Sequence, residues 1–420
     1  MEAFFYIELA CVAVALLCVV SFLVLAVCCS GCKKEKLKIE HSEKRTSFAV
    51  IIPARNESAV IESNLNALYK SNYPKEYFHP YVIVESMDDP TVEICKKYDG
   101  VSVFLRQNLA NTGKGHALDE CISNIFKEND VYDAFLILDA DNVVTPDFLP
   151  KMSDAFQAGY EAACGNRNNK DWNASAVSSS SALTFTIINS IQNKSKTALG
   201  LGITFTGTGF FVSAEILRRL GGWRFYSLTE DYEFSTFAMC NGVKSCFVED
   251  AIYYDEQPRT WWQSIIQRTR WVKGYFVVRI GYRKMKKEYA KRLPKNKDIQ
   301  IMRFGTMPML VLAIDAIAYV VNSIVGAIVS TALGWGIAHL FLIRIGIVLG
   351  LVYLIIMLLT VYLFHIEKGR ASITSKNKVK TVFYHPIYLA SYVVAALRTF
   401  FIKNRWEVVE HSINNDIEGI

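Results

Sequence analysis

Two aspartates separated by one alanine close an apolar run. Asp139-Ala140-Asp141 follows Ala134-Phe135-Leu136-Ile137-Leu138, so both carboxylates emerge where a buried strand should end. Two hard oxygen ligands at one opening suit Mg2+ or Mn2+ holding a diphosphate, because magnesium is commonly bound by one or two carboxylates plus substrate phosphates. A second acidic group, Leu228-Thr229-Glu230-Asp231-Tyr232-Glu233, reads as a helix start, with Thr229 at the cap and acids in the first turn. That position also lets Asp231 act as a base, taking the proton of an attacking hydroxyl. Gln267-Arg268-Thr269-Arg270-Trp271 offers two guanidiniums to balance a leaving diphosphate and an indole face for a sugar ring. The same run would suit an ordinary amphipathic helix with a cation–π contact. Lys114 lies between Gly113 and Gly115, in a loop whose backbone can approach a ligand and whose ammonium can meet phosphate; the spacing is not that of a P-loop. Gly207-Thr208-Gly209 is a further permissive loop, with Thr208 placed for an approaching acceptor.

The elements that must hold these groups alternate. Apolar strand runs stand at 48–52, 81–84, 101–105 and 134–138, and helical spacing occupies 58–69, a segment from Thr91, 115–126 and a segment opened by Pro146. The pattern predicts an α/β domain over 45–275, a mostly parallel sheet with helices on both faces. Ligands in such sheets bind beyond the carboxyl ends of the strands, where Asp139 and Asp141 fall.

The rest of the 420 residues is written for a bilayer. Half of the chain (51%) is apolar, which excludes disorder, collagen and a small disulfide scaffold. Residues 1–32 read as a permanent anchor whose core, 3–29, carries one charge, Glu8. Lysines 33, 34, 36 and 38 follow it, so the positive-inside bias puts the N-terminus outside and the catalytic block in the cytosol, at a cell membrane. Residues 304–402 hold three more apolar blocks, 304–330, 337–364 and 382–402, read as spans; the third alternatively lies in the inner interface. Residues 276–303 form a basic interface helix in this reading, because 273–303 carry eleven Lys or Arg against two acids. Residues 403–420 are a tail. The net charge of +6 is mild and clustered beside spans, so no nucleic-acid partner is expected. Asp315 and Arg344, both in apolar blocks, are expected to pair.

Taken in order, Pro53-Ala54-Arg55-Asn56-Glu57, the Asn-x-Gly-Lys loop, Asp-Ala-Asp, Thr-Glu-Asp and Gln-Arg-Thr-Arg-Trp resemble the processive family-2 membrane glycosyltransferases: the cellulose, mixed-linkage glucan, hyaluronan and poly-N-acetylglucosamine synthases. The resemblance covers 45–275 and implies a GT-A fold, a UDP-sugar donor and an inverting reaction. By the same resemblance Asp139 and Asp141 bind UDP and the metal, and Asp231 is the base, with Glu230 beside it. Gln267, Arg268, Arg270 and Trp271 would hold the diphosphate and the acceptor end. Lys114 would lie at the nucleotide, and Arg55 and Glu57 would line the nucleoside pocket. The family's first acid is matched by Glu85 in position and by Asp88 in residue type.

The expected activity is therefore polymerisation of a β-glucan, cellulose-like or mixed-linkage, from UDP-glucose, with export of the product. The Thr-Glu-Asp and Gln-Arg-Thr-Arg-Trp segments resemble the glucan group, while Tyr275-Phe276 resembles the hyaluronan group. A UDP-N-acetylglucosamine-using polysaccharide synthase and single-sugar transfer to a lipid stand as alternatives, as does an inactive scaffold subunit. Expected partners are the UDP-sugar, a growing polysaccharide and the bilayer, with a homo-oligomer or accessory export subunit left open.

Overall fold

The computed structural model describes residues 2–31, 39–128, 131–284 and 318–402, together with residues 287 and 315. Helix α1, Glu2–Gly31, precedes a domain built on one eight-stranded sheet. Its strands are β1 Phe48–Pro53, β2 Phe78–Val84, β3 Ser102–Leu105, β4 Ala134–Ile137, β5 Val143–Val144, β6 Ala162–Asn169, β7 Phe210–Ser213 and β8 Ser245–Asp255. They lie in the order β3-β2-β1-β4-β7-β6-β8-β5. The first four run parallel, β7 opposes both β4 and β6, β8 lies parallel to β6, and β5 opposes β8. The sheet is thus parallel over the half that carries the expected strands and mixed beyond it.

The continuous apolar run of β1 follows from burial on both faces. Phe48, Val50 and Ile52 point into one core with Leu65, Leu136 and Phe148; Ala49 and Ile51 point into the other with Leu118, Phe135 and Phe234. Helices α2 Ile61–Tyr69, α3 Pro90–Cys95 and α5 Phe148–Gln157 contribute to the first core. Helices α4 Lys114–Lys127, α8 Ala214–Leu220 and α9 Glu230–Cys240 contribute to the second. Strand order turns round at β1, where β2 lies on one side and β4 on the other. A crevice therefore opens between the carboxyl ends of β1 and β4.

Beyond the sheet, α6 Ala176–Thr186 runs into a seven-residue π-helical stretch, Ile187–Asn193, and then α7 Lys194–Ala198. Helix α10, Trp261–Gly281, is one continuous element. It passes through the expected boundary at 275, and most of the basic segment that follows lies outside the described residues, as does the tail.

Among the described residues one helix, Ala338–Ile366, is long and apolar enough to cross a membrane; Ala318–Ala332 is a shorter apolar helix. The first of the three expected C-terminal spans lies in part outside the described residues. Arg344 pairs with Glu8 at 2.9 Å, and Ser323 donates to the other Glu8 oxygen at 3.2 Å. The expected Asp315–Arg344 pair is replaced by this one, because α1 brings its own carboxylate to the arginine; Asp315 sits beside Cys11.

The last helix is Ser375–Arg398. Its buried stripe of Thr381, His385, Tyr388, Ser391 and Ala395 packs on α6 and α10. Val379, Phe383, Ile387, Val394 and Leu397 remain exposed on the other side. One face of the third expected span is thus spent on the domain.

Candidate active site

The crevice at the carboxyl ends of β1 and β4 is one end of a cavity of about 1020 Å³. Its polar end is lined by Arg55, Glu57, Glu85, Lys114, Asp139 and Asp141, and its middle by Glu230, Asp231, Gln267, Arg270 and Trp271. Eleven of the residues singled out in the sequence therefore meet in one space.

Loop geometry sets each of them. Asn56 adopts a left-handed φ of 58°, and its N–H donates to Asp89 Oδ2 at 2.7 Å, which turns the chain so that Arg55 and Glu57 face inward. Glu85 follows β2 and is held by Arg55 at 3.5 Å and by Arg106 Nη1 at 3.1 Å. Arg106 is buried, bonds Glu120 at 2.8 Å and donates to the carbonyls of Asn108 and Asn111 at 3.0 and 2.7 Å. It thus fixes both Glu85 and the loop that carries Lys114. The sequence reading missed Arg106, whose signal was its place directly after β3.

Asp139 ends β4. Its N–H donates to Thr208 Oγ1 at 2.8 Å and to Asn142 Oδ1 at 3.1 Å. Its carboxylate meets the ammonium of Lys114, which also donates to the carbonyl of Gly207 at 2.7 Å. Asp141 is buried; its oxygens accept from Asn142 Nδ2 at 3.1 Å and from the N–H of Glu256 at 3.0 Å. Among the described residues no three His, Cys, Asp or Glu side chains stand together as a metal cage. Two adjacent hard carboxylates opening on one cavity still fit Mg2+ or Mn2+, which complete their shell with substrate phosphate oxygens and water.

Glu230 and Asp231 open α9, where the helix N-terminus favours negative charge. Thr229 occupies the cap position without making a side-chain capping bond. Glu233 reaches back instead to the N–H of Ser227 at 2.9 Å. Ser235 Oγ accepts from the N–H of Phe205 at 2.8 Å and donates to the carbonyl of Asp231 at 2.7 Å, which ties α9 to the loop before Gly207. A Cβ on Gly207 would lie 3.6 Å from Asp231 Oδ2, and its φ of +92° suits glycine alone. Burial and then the Asp231 charge push the Glu230 carboxyl up to about 7, against the pull of Lys114. Enclosure raises Asp231 as well, opposed by Lys114 and Arg270. Burial would lower Lys114, but Asp139 and Glu230 outweigh it and raise it, so it stays cationic.

A buried pair missed in the sequence underlies this centre. Arg167 Nε donates to Asp255 Oδ2 at 2.7 Å and Nη1 to the carbonyl of Thr206 at 2.8 Å. Its guanidinium stacks on Phe185 at 3.9 Å, and Phe185 meets Trp271 edge-on at 5.6 Å. Burial, and next to it Asp141, drive Asp255 up to about 6 despite Arg167. Both residues sit on strands, β6 and β8, that the expected elements did not include.

Three expectations are corrected. Asp88 is exposed and outside the cavity, because the turn after β2 carries it outward; Glu85 takes the position. Thr208 is fully buried beneath Asp139, bonded to its N–H and to Asn142, so it positions Asp139 and does not face an acceptor. Arg268 is fully buried on the other side of α10 and lies outside the cavity lining. Residues 267 and 271 share a stripe of the helix, whereas 264 and 268 share the next.

The far end of the cavity is mostly apolar. Ile187 and Ile188 of the π-helical stretch, Phe276, and Leu389, Val393 and Leu397 of the last helix line it, with Tyr275 and Tyr392 nearby.

Comparison with known proteins places this arrangement. The model of the family described as Glycosyltransferase like family 2 matches residues 45–274. The chain is 28% identical over 257 residues to the probable glycosyltransferase YdaM of Bacillus subtilis (strain 168), covering 56% of each. It is 25% identical over 247 residues to the beta-monoglucosyldiacylglycerol synthase of Trichormus variabilis, covering 56% of this chain and 50% of that one. The match thus spans about half the length of these relatives. Among solved structures, the mannosyltransferase PcManGT from Pyrobaculum calidifontis, in complex with GDP-Man and Mn2+, superposes with a TM-score of 0.56 at 17% identity. That match covers 93% of this chain and 99% of the other, and at this identity it speaks to the fold, which is GT-A-like.

Proposed function

The chain belongs to glycosyltransferase family 2, and from that premise we propose that it is an inverting transferase moving a sugar from a UDP-sugar to an acceptor hydroxyl at the membrane surface. The observation that carries the reading is the convergence of Asp139, Asp141, Lys114, Arg270 and Asp231 in one cavity. An inverting transfer needs a base on the acceptor side and cationic groups on the departing diphosphate, and both are present.

In the mechanism, Glu85, Arg55 and Glu57 hold the nucleoside end. Asp139 and Asp141 would hold Mg2+ or Mn2+, which when bound supplies charge stabilisation to the diphosphate. Lys114 leaves Asp139 for a phosphate oxygen, and Arg270 faces the same developing charge in a preorganised site. Asp231 accepts the proton of the acceptor hydroxyl as that oxygen attacks the anomeric carbon and UDP departs. Trp271, steadied by Phe185, offers its face to the acceptor sugar.

Two acceptors are compatible with this chemistry. Extension of a β-glucan, with export, agrees with the motif order. Transfer to a lipid is favoured by a specific observation, the apolar far end, whose wall continues into the exposed apolar face of the last helix. A relative named as a glucosyldiacylglycerol synthase supports the same reading. We favour the lipid acceptor. The cytosolic placement of the domain and a multi-span membrane region belong to this proposal.

The test is to incubate purified protein in mixed micelles with labelled UDP-glucose or UDP-N-acetylglucosamine, Mg2+ or Mn2+, and either dioleoylglycerol or cellotetraose. Label of fixed size in the organic phase supports lipid transfer. High-molecular-weight product cut by cellulase or lichenase returns the protein to the β-glucan reading.

A further inference from the structure

The first arginine of the Gln267–Trp271 run grips a different partner from the second. The Arg268 guanidinium packs over the rings of Tyr388 and Tyr392, 4.1 and 4.8 Å from their centroids. Its Nη1 donates to the carbonyl of Tyr388 at 2.7 Å and its Nε to the carbonyl of Ser264 at 3.2 Å. Ser264 Oγ meets the Tyr388 hydroxyl at 3.3 Å. Along the same seam Trp261 meets Tyr384 edge-on at 6.0 Å, Arg398 lies over Trp262 at 5.2 Å, and the Lys273 ammonium donates to the carbonyl of Ile402. Apart from the Ser264 carbonyl bond, which lies within α10, these contacts join α10 to the last helix or to the residues just after it.

Both helices line the cavity, and they pack on each other along this seam. From α10 come Gln267, Arg270, Trp271 and Tyr275; from the last helix come Leu389, Tyr392, Val393 and Leu397. We infer that Arg268 is a positioning residue for the acceptor: it sets the seat of the last helix on α10, and with it the width of the acceptor end of the cavity. The inference rests on the proposed reading that the acceptor enters by that end. Arginine suits the task because one planar group can stack on two rings while donating in its own plane, and cation–π attraction strengthens when both partners are desolvated. Tyr392 joins the two functions, since its ring packs on Arg268 and also lines the cavity.

The roles make opposite predictions. An arginine serving the diphosphate would lower UDP affinity when replaced; an arginine seating the helix would lower acceptor affinity. The experiment uses full-length protein in micelles and the variants Arg268→Gln, Arg268→Lys and Tyr388→Leu, the last of which removes a ring of the seam from the other helix. Three quantities are read: UDP affinity by calorimetry, hydrogen exchange over 375–398, and KM for dioleoylglycerol or cellotetraose, whichever the unaltered protein uses. Arg268→Gln and Tyr388→Leu are expected to speed exchange in 375–398 and raise acceptor KM about tenfold, with UDP affinity unchanged. Arg268→Lys should fall between, since an ammonium can donate to the Tyr388 carbonyl but cannot stack as a plane. A drop in UDP affinity for Arg268→Gln as large as that for Arg270→Gln would overturn the inference. So would unchanged exchange in both Arg268→Gln and Tyr388→Leu. The exchange and UDP measurements need no acceptor, so they fail separately from the functional reading. Unaltered protein that binds UDP yet glycosylates neither acceptor would overturn the acceptor role itself.

Discussion

The ammonium of Lys114 rests on the carboxylate of Asp139 and donates to the carbonyl of Gly207 at 2.7 Å, so one side chain joins the start of α4, the end of β4 and the loop beside Asp231. The lysine holds in the free protein the place that a donor phosphate and its cation would contest. Removing its charge should weaken donor binding and leave Asp139 without its counter-ion. Lys114→Met is expected to cut UDP affinity by at least about tenfold, a loss in keeping with a charge-assisted contact. Calorimetric titration with UDP in Mn2+ checks this; unaltered affinity would refute the assignment.

Asp231 lines the cavity beside Asp139 and Arg270, and the proposed mechanism gives it the acceptor hydroxyl. Asp231→Asn should lower kcat by about 10²–10⁴, the range ascribed to general base catalysis, while UDP affinity stays within about twofold. Parallel losses of turnover and UDP binding would instead mean that Asp231 serves the donor.

Activity should depend on pH through the Glu230–Asp231 pair. Burial, and for Glu230 the neighbouring Asp231 charge, raise both carboxyls, with Glu230 at about 7. The base works only when deprotonated, so kcat/KM should rise as pH climbs through the apparent pKa values of the pair, which titrates as a unit. Glu230→Gln removes one negative charge from beside Asp231 and stabilises its ionised form. The acid limb of the pH–rate profile should therefore move to lower pH, and a shift upward would contradict the electrostatic account.

Metal dependence should be seen in binding as well as in turnover. Chelation of divalent metal is expected to abolish transfer, and Asp141→Asn to remove the Mn2+-dependent part of UDP affinity. Equal UDP affinity with and without Mn2+ in the unaltered protein would end the assignment of Asp139 and Asp141.

The Arg167–Asp255 pair is largely buried at the wall of the cavity, and removing one partner leaves the other's charge uncompensated. Asp255→Ala should destabilise the domain by about 3–5 kcal/mol. Denaturant unfolding monitored by tryptophan fluorescence measures this, and a change below about 1 kcal/mol, the scale of an exposed pair, would show that the site is wetter than its geometry indicates.

Much of this centre was legible before any coordinates. An apolar strand run closed by Asp139-Ala140-Asp141 must place those carboxylates beyond the strand's carboxyl end, since carboxylates are not buried unpaired within a parallel sheet. Glycines flanking Lys114 and acids opening α9 are likewise local signals with local causes. The alternation of strands and helices up to β4 followed from period and burial alone. Past that point the strands are shorter or more polar. β6, Ala162–Asn169, carries Asn166, Arg167, Asn168 and Asn169; Asn166 and Arg167 are satisfied by Glu249 and Asp255, far along the chain, so no apolar pattern announces the strand.

Which side of α10 meets the cavity was not written in the motif. Arg268 and Arg270 are nearly adjacent and chemically identical, yet a helix turns about 100° per residue. The seat of the last helix then consigns Arg268 to one surface and Arg270 to the other. Residue types and their order thus determined the chemistry on offer: two carboxylates for a cation, a base, a lysine and arginines for phosphate. Tertiary packing alone decided which arginine lines the cavity, that Glu85 and not Asp88 faces it, and that its far end is apolar. Each of these depends on contacts between segments far apart in sequence, such as Arg268 with Tyr388, and such contacts leave no trace in spacing.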